Sequence, residues 1–413
     1  MKVKVSVFQF VKLSFFGMLL YSSFLMELLE IKIANMTMLL GMLTTVIMLA
    51  DMAVINFNPL KVVNTDIKWL LLFMVASVLG IVAVAMYRAS AIDGMIQLVQ
   101  CLLLMVIAIY ICIREGSLTF CARTIVIVMG LGALYALNNP EAFSAPRVSL
   151  SDTSNANVFG HNAVLGACMI PLAFKTDTKI KKLFHLGLLA MFSLAVIISA
   201  SRMSFIALAG YLGVYLLVIA PRKIGPTRFS WGVRLLGALG VMVVVLSFVA
   251  ESLTDTLLID RMNELFNVID TGEGDGEARV YLYEEAWRAF LRSPLFGLGY
   301  ANFAPLHYGV YTHSTYAEIL SCTGLMGFVP FMCYYWHIFQ ELRKGTRLDN
   351  QTRTSTNHYL FLVFLVLLLL GIGEILIYKI KYFVVFGMLA AQFCINTEQF
   401  AQLQKIQTDK EKQ

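Results

Sequence analysis

Apolar segments of membrane-spanning length follow one another almost from end to end of this chain, with one long break. From Glu251 to about Thr312 the sequence turns polar, charged and glycine-punctuated, and the apolar pattern resumes after His313. A helix needs roughly 20 apolar residues to cross a bilayer. About 12 stretches meet that length, centred near Leu19, Leu43, Val75, Leu103, Val128, Met169, Phe192, Tyr211, Val243, Val329, Phe364 and Phe386. Of the 413 residues 59% are hydrophobic and 14% charged, against about 25% charged in an ordinary soluble domain. The soluble classes are thereby excluded. The expected fold is an all-α polytopic membrane protein of about 12 transmembrane helices with one large extracytoplasmic loop that contains amphipathic helices. The expected division is 1–250 for transmembrane helices 1–9, 251–314 for the extracytoplasmic, periplasmic loop, 315–396 for transmembrane helices 10–12, and 397–413 for a cytoplasmic tail.

Basic residues set the expected orientation. One set of loops holds Lys61 and Lys68; Lys175, Lys179, Lys181 and Lys182; Arg222, Lys223 and Arg228; and Arg343, Lys344, Arg347 and Arg353. Lys405, Lys410 and Lys412 follow in the tail, while the opposite short loops carry only Lys32, Arg88, Arg147, Arg202, Lys379 and Lys381. The bias puts both termini inside and the large insert outside. Most of the net charge of +6 is therefore a topology signal, and no basic-aromatic interleaving points to nucleic acid. The first stretch has a basic front at Lys2, Lys4 and Lys12, but no small-residue cleavage site follows, so it reads as a retained helix. Seven cysteines lie in or at the ends of spans with no disulfide or metal-type spacing, and read as packing residues.

Two outer segments stand out. The smaller, Asn138 to Asn157, is rich in Pro, Ser and Asn and reads as a loop. In the larger, Leu258, Met262, Leu265 and Ile269 recur at helical spacing among polar residues, the pattern of an amphipathic helix on a membrane face. Gly272 to Glu277 alternates glycine with carboxylates and reads as a mobile, non-helical turn; it lacks calcium-loop spacing. A second helix is expected from Arg279 to Leu291, with Leu282, Ala286 and Phe290 on one side. Ser293-Pro294 ends it, and Gly297-Leu298-Gly299 makes a tight bend.

The order of the polar residues resembles a known family. Arg147 is followed by Asn155-Ala156-Asn157, and Ser201-Arg202 sits at a span junction. Arg279 then precedes Trp287 and Ser293-Pro294-Leu295-Phe296-Gly297-Leu298-Gly299. His313-Ser314-Thr315-Tyr316 leads to Gly324-Leu325-Met326-Gly327. This pattern resembles the bacterial O-antigen polymerase and O-antigen ligase superfamily of GT-C-type membrane glycosyltransferases. The likeness runs roughly from Arg147 to Gly327. One departure is that Ser314 stands where the family usually carries Asn; a hydroxyl also hydrogen-bonds.

The resemblance implies a donor glycan on undecaprenyl diphosphate, transferred to a sugar hydroxyl with release of the lipid diphosphate. The main expectation is a polysaccharide polymerase, inverting and metal-independent. The compact stretch from Pro294 to His313 leaves little room to recognise a large lipid acceptor, which favours polymerase. The alternative is a ligase passing glycan to lipid A-core, and a more distant one is a lipid-glycan flippase. Implied partners are the lipid-linked donor, the glycan acceptor, the bilayer and a chain-length regulator. Implied location is the bacterial cell inner membrane, with the site on its periplasmic face. No cofactor is implied.

The chemistry can be argued from the residues. A departing diphosphate needs charge compensation, and arginine supplies a permanent cation in a planar fork. No carboxylate cluster at the outer face offers a magnesium site, so Arg202 and Arg279 are the candidates. The acceptor hydroxyl needs a base, and His313, with an ordinary pKa of about 6.5, suits that role. Each has a bland reading beside the functional one. His313 is otherwise a solvated interfacial histidine. Arg202 otherwise snorkels to headgroups, and Arg279 otherwise pairs with Glu277 or Glu284. Arg147 either guides the donor or decorates a loop. Tyr316 stacks on a sugar, orients His313, or packs in the core. Arg288 and Arg292 read as a solvated face, and His161 and His307 as structural. Glu374, Lys379 and Lys381 read as a charge pair at the outer end of a span.

Overall fold

A computed structural model describes residues 6–28, 36–58, 67–139, 148–150, 155–174, 178–215, 275–352 and 354–411. Hydrocarbon offers a backbone amide no partner, so a membrane-crossing segment closes its hydrogen bonds within itself as a helix. The chain follows that rule, and the described residues contain helices and no strand.

Nine helices among the described residues are long and apolar enough to cross a membrane. They are α1 (Val7–Leu25), α2 (Met36–Val54), α4 (Arg88–Glu115), α5 (Thr119–Asn138), α6 (Ala156–Ala173) and α7 (Lys179–Ile198), then α11 (Thr315–Thr352), α12 (Thr356–Gly373) and α13 (Ile380–Glu411). Two shorter apolar helices, α3 (Lys68–Val84) and α8 (Arg202–Val214), join them. Eleven of the expected span centres therefore fall on apolar helices, and the one near Val243 lies outside the described residues. Helix α13 runs unbroken to Glu411, so the segment expected as a tail continues a helix.

The core is built by α4 against α13, α5 against α6, and α11 against α3 and α12. Tyr110, Phe159, Phe192, Phe364 and Phe386 are fully buried in it. Large apolar side chains also face outward, among them Leu39, Val46, Leu71, Val82 and Leu183. A soluble protein rarely tolerates such a periphery, and a lipid-facing one requires it. Composition, length and surface together make this an integral membrane protein.

The described part of the insert departs from one expectation. Helix α9 runs from Asp275 to Arg292, so Asp275, Gly276 and Glu277 are helical and the expected turn does not reach Glu277. The helix expected over Leu258–Ile269 lies outside the described residues, as do Gly272 to Gly274. Leu282 and Ala286 of α9 pack on Phe303 of the short α10 (Phe303–Leu306) and on Cys322 of α11 in a small separate apolar cluster.

Candidate active site

The glycine-rich motif fixes the insert to the helix that begins just after His313. Helix α11 is broken at Gly324, whose φ of 55° and ψ of −158° are not helical. The backbone amides of Leu325 and Met326 turn out of the helix and donate to the carbonyls of Pro294 and Leu295, at 2.8 and 3.1 Å. In return, Leu298 N donates to Ser321 O at 2.9 Å. A Cβ on Gly324 would lie 2.5 Å from Leu295, and one on Gly297 would collide with the Ser321 carbonyl. Both glycines have positive φ as well, so only glycine satisfies both the space and the dihedral. The Ser293–Gly299 motif and the distant Gly324 are thus two halves of one backbone clasp.

His313 precedes α11 by two residues and is half-buried, in a left-handed backbone conformation with φ of 55°. Non-glycine residues rarely adopt it, and the strain costs of order 1–3 kcal/mol. Neighbours hold it there. Thr312 donates to the buried carboxylate of Glu318 through its backbone, at 3.3 Å, and its hydroxyl, at 2.9 Å. Tyr378 Oη donates to the same carboxylate at 3.2 Å. Thr315 donates to the Glu374 carbonyl through its backbone amide, at 3.1 Å, and its hydroxyl, at 2.7 Å. The turn carrying His313 is thereby tied to the end of α12.

The charges converge at that turn. Burial, and then the Arg279 guanidinium, push the pKa of His313 below its ordinary 6.5, against an opposing pull from Glu374. The imidazole is therefore neutral at neutral pH and able to accept a proton. Burial acts to raise the pKa of Glu374. The His161 hydrogen bond and the positive charges of His161, Lys379 and Lys381 outweigh it and hold the carboxyl at about 2. His161, fully buried, donates through Nδ1 to Glu374 Oε2 at 3.1 Å.

Arg202 opens α8 at the same end of the bundle. Ser201 caps the helix by accepting from the Ser204 amide, and Ala200 before it is left-handed. This elbow presses on α6: a Cβ on Gly160 would lie 2.5 Å from Ser199 Oγ. On its other side, Met203 packs where a Cβ on Gly373 would be, 2.9 Å away. The Arg202 backbone therefore lies at the α12 terminus that also carries Glu374.

The other expected residues sort as follows. Arg288 forms exposed ion pairs with Glu285 at 2.6 Å and Glu284 at 3.5 Å, a solvated face as expected. His307 stacks on Phe303 at 4.0 Å between ring centres and lies 3.6 Å from Glu285, a structural role. Tyr316 donates to Leu368 O at 2.9 Å and sits in the α11–α12 seam beside Tyr335. It heads an apolar groove of about 590 Å³ lined by Met332, Trp336, Phe364 and Ile372. Arg147 lies outside the described residues, and Asn155 caps α6 by accepting from the Asn157 amide at 2.8 Å. Sequence reasoning missed Glu318 and undervalued Glu374 and His161. A lone carboxylate within an apolar span was the available signal for Glu318. Among the described residues no three His, Cys, Asp or Glu side chains gather as a metal site.

A membrane-embedded helical bundle with a cationic, imidazole-bearing site at one end defines the class. Residues 186–332 match the family model described as O-antigen ligase. The match places that segment in the O-antigen polymerase and ligase superfamily, and it spans Arg202, Arg279, His313 and both halves of the glycine clasp. The chain thus carries the domain of a glycosyltransferase-like membrane enzyme of O-antigen assembly. No curated protein matched the chain.

Proposed function

We propose that this protein is a polysaccharide polymerase that moves a glycan from undecaprenyl diphosphate to a sugar hydroxyl of an acceptor repeat unit. The observation that carries this reading is a half-buried His313 set beside Arg279 and Glu374, with its pKa pushed below the ordinary value. His313 takes the proton of the acceptor hydroxyl as its oxygen attacks the anomeric carbon. The bond from that carbon to the diphosphate oxygen breaks, with inversion, and undecaprenyl diphosphate departs. Arg279 and Arg202 compensate its charge, which removes the need for a metal ion. Arg147 guides the donor. The groove headed by Tyr316 supports approach of the isoprenoid tail from the lipid side. The setting is the bacterial inner membrane, with both termini cytoplasmic and the site on the periplasmic face, where a chain-length regulator would join it.

A ligase that passes glycan to lipid A-core uses the same groups, and the description of the matched family favours it. The compact packing of Pro294–Gly299 against α11 favours the polymerase. Purified protein in liposomes, given a synthetic lipid-linked repeat unit, separates them. A ladder of lengthening glycans on a gel marks a polymerase, and transfer seen only when lipid A-core is added marks a ligase. Loss of activity in EDTA would overturn the arginine assignment.

A further inference from the structure

A second polar chamber shares a wall with this site. It encloses about 340 Å³ among the ends of α1, α2, α4, α6 and α13, within the range of small-molecule sites, about 300–1,000 Å³. Its chemistry is out of place in a lipid-embedded bundle. Asp93, Gln97 and Gln100 follow one another at helical spacing on one face of the apolar α4, and Asn162, Lys379 and Lys381 face them. Hydroxyls from α1 and α2 complete the wall. Polar side chains inside a membrane protein are costly to keep and ordinarily mark a ligand path.

The arrangement grades from rim to floor. Asp93 and Gln97 are exposed, Lys379 is half-buried, and Lys381 is buried. The Lys381 ammonium donates to Asn162 Oδ1 and lies 5.1 Å from the Tyr382 ring centre. Gln97 donates to the Tyr378 carbonyl at 2.7 Å. Tyr378 is the shared wall: its hydroxyl reaches Glu318 and its ring lies 5.8 Å from that of Tyr311, two residues before His313. Planar amides and carboxylates side by side suit vicinal hydroxyls, because each presents two polar atoms at hydrogen-bond spacing. Among the lining side chains two ammonium groups stand against the one carboxylate of Asp93, with Glu374 balancing part of that charge from behind the wall.

We propose that this chamber is a carbohydrate subsite that holds an acidic sugar unit of the glycan next to the transfer site. Lys379 meets the acidic group, the amides and hydroxyls read the ring hydroxyls, and Asp93 at the rim opposes the acid. The inference rests on the glycan-transfer reading only in taking the ligand to be a carbohydrate. Saturation-transfer NMR on the full-length protein in nanodiscs tests it, with trigalacturonate, neutral maltotriose and inorganic pyrophosphate as probes. Trigalacturonate should contact the protein more strongly than maltotriose. Lys379→Gln should weaken it about tenfold, as expected for loss of a charge-assisted bond, and the exposed Asp93→Asn should strengthen it. A misfolded variant cannot account for opposite signs at two positions. Equal contact by the neutral sugar, no contact by the acidic one, indifference to both substitutions, or displacement by pyrophosphate at matched concentration would each overturn the subsite. Failure of the liposome transfer assay alongside Lys379-dependent binding would sink the transfer reading and leave the subsite standing.

Discussion

A histidine–carboxylate pair stands at each end of the α11–α12 hairpin, His358–Asp349 within it and Glu374 paired with His161 of α6, and the two are built differently. At the turn, Asp349 accepts from His358 Nδ1 at 2.9 Å and the His358 amide at 3.0 Å, and from Thr354 Oγ1 at 2.7 Å and Asn357 Nδ2 at 2.9 Å. Asn357 and Asn396 bond to each other, and Gln392 donates to Asn396 at 2.8 Å. A Cβ on Gly345 would collide with the Asn357 amide. Each oxygen of Asp349 is matched by fixed donors, which is how a buried carboxylate fastens structure. At the open end, Glu374 accepts from His161 and otherwise lies in a field of cations, Lys379 and Lys381 among them, beside the strained His313. His161 Nε2 is buried with no hydrogen-bond partner among the described residues. A saturated carboxylate locks a turn; one set among charges tunes its neighbours.

The largest effect that would break this contrast is at His313. His313→Ala should lower glycan transfer by about 10²–10⁴-fold, the usual worth of a general base, with the thermal midpoint in detergent barely moved. Asp349→Ala should do the opposite. Leaving a buried donor such as the His358 imidazole unsatisfied costs about 1–3 kcal/mol, seen as a lower midpoint, while transfer per folded molecule holds. If Asp349→Ala slows folded enzyme as much as His313→Ala, the two ends are not functionally distinct. Gly324→Ala falls between them. Its backbone lies in an essentially glycine-only region, which costs another residue about 1–3 kcal/mol, the clash with Leu295 adds to that, and shifting the insert should reduce transfer and stability together.

The helices were legible because a continuous apolar run of about 20 residues closes its backbone hydrogen bonds in lipid as a helix. Arg202, Arg279 and His313 were readable as candidates because their residue types suit phosphate and proton chemistry. Gly297 and Gly299 read correctly as a bend, but pairing Gly297 with Gly324 is a contact between distant segments that periodicity does not encode. Glu374 and His161 escaped for the same reason: they are 213 residues apart, and each is unremarkable alone. The α9 start was misread because glycine propensity is a weak local preference that an adjoining helix can override.

The smallest expected effect sharpens the contrast most. Transfer should fall on the acid side as His313 gains a proton, and that limb should lie below pH 6.5 because burial and Arg279 disfavour the imidazolium. Arg279→Gln removes the repulsion, so the limb should move to higher pH. Glu374→Gln removes the one attraction that favours the proton, so the limb should move to lower pH. Each profile is read against the variant's own maximum, which separates the limb from any loss of diphosphate binding. Asp349→Asn, at the far end of the same hairpin, should leave the limb in place. Movement of the limb in one common direction for Arg279→Gln and Glu374→Gln would mean that a group other than His313 carries the proton, because no single imidazole lying between a cation and an anion responds to the loss of each in the same sense.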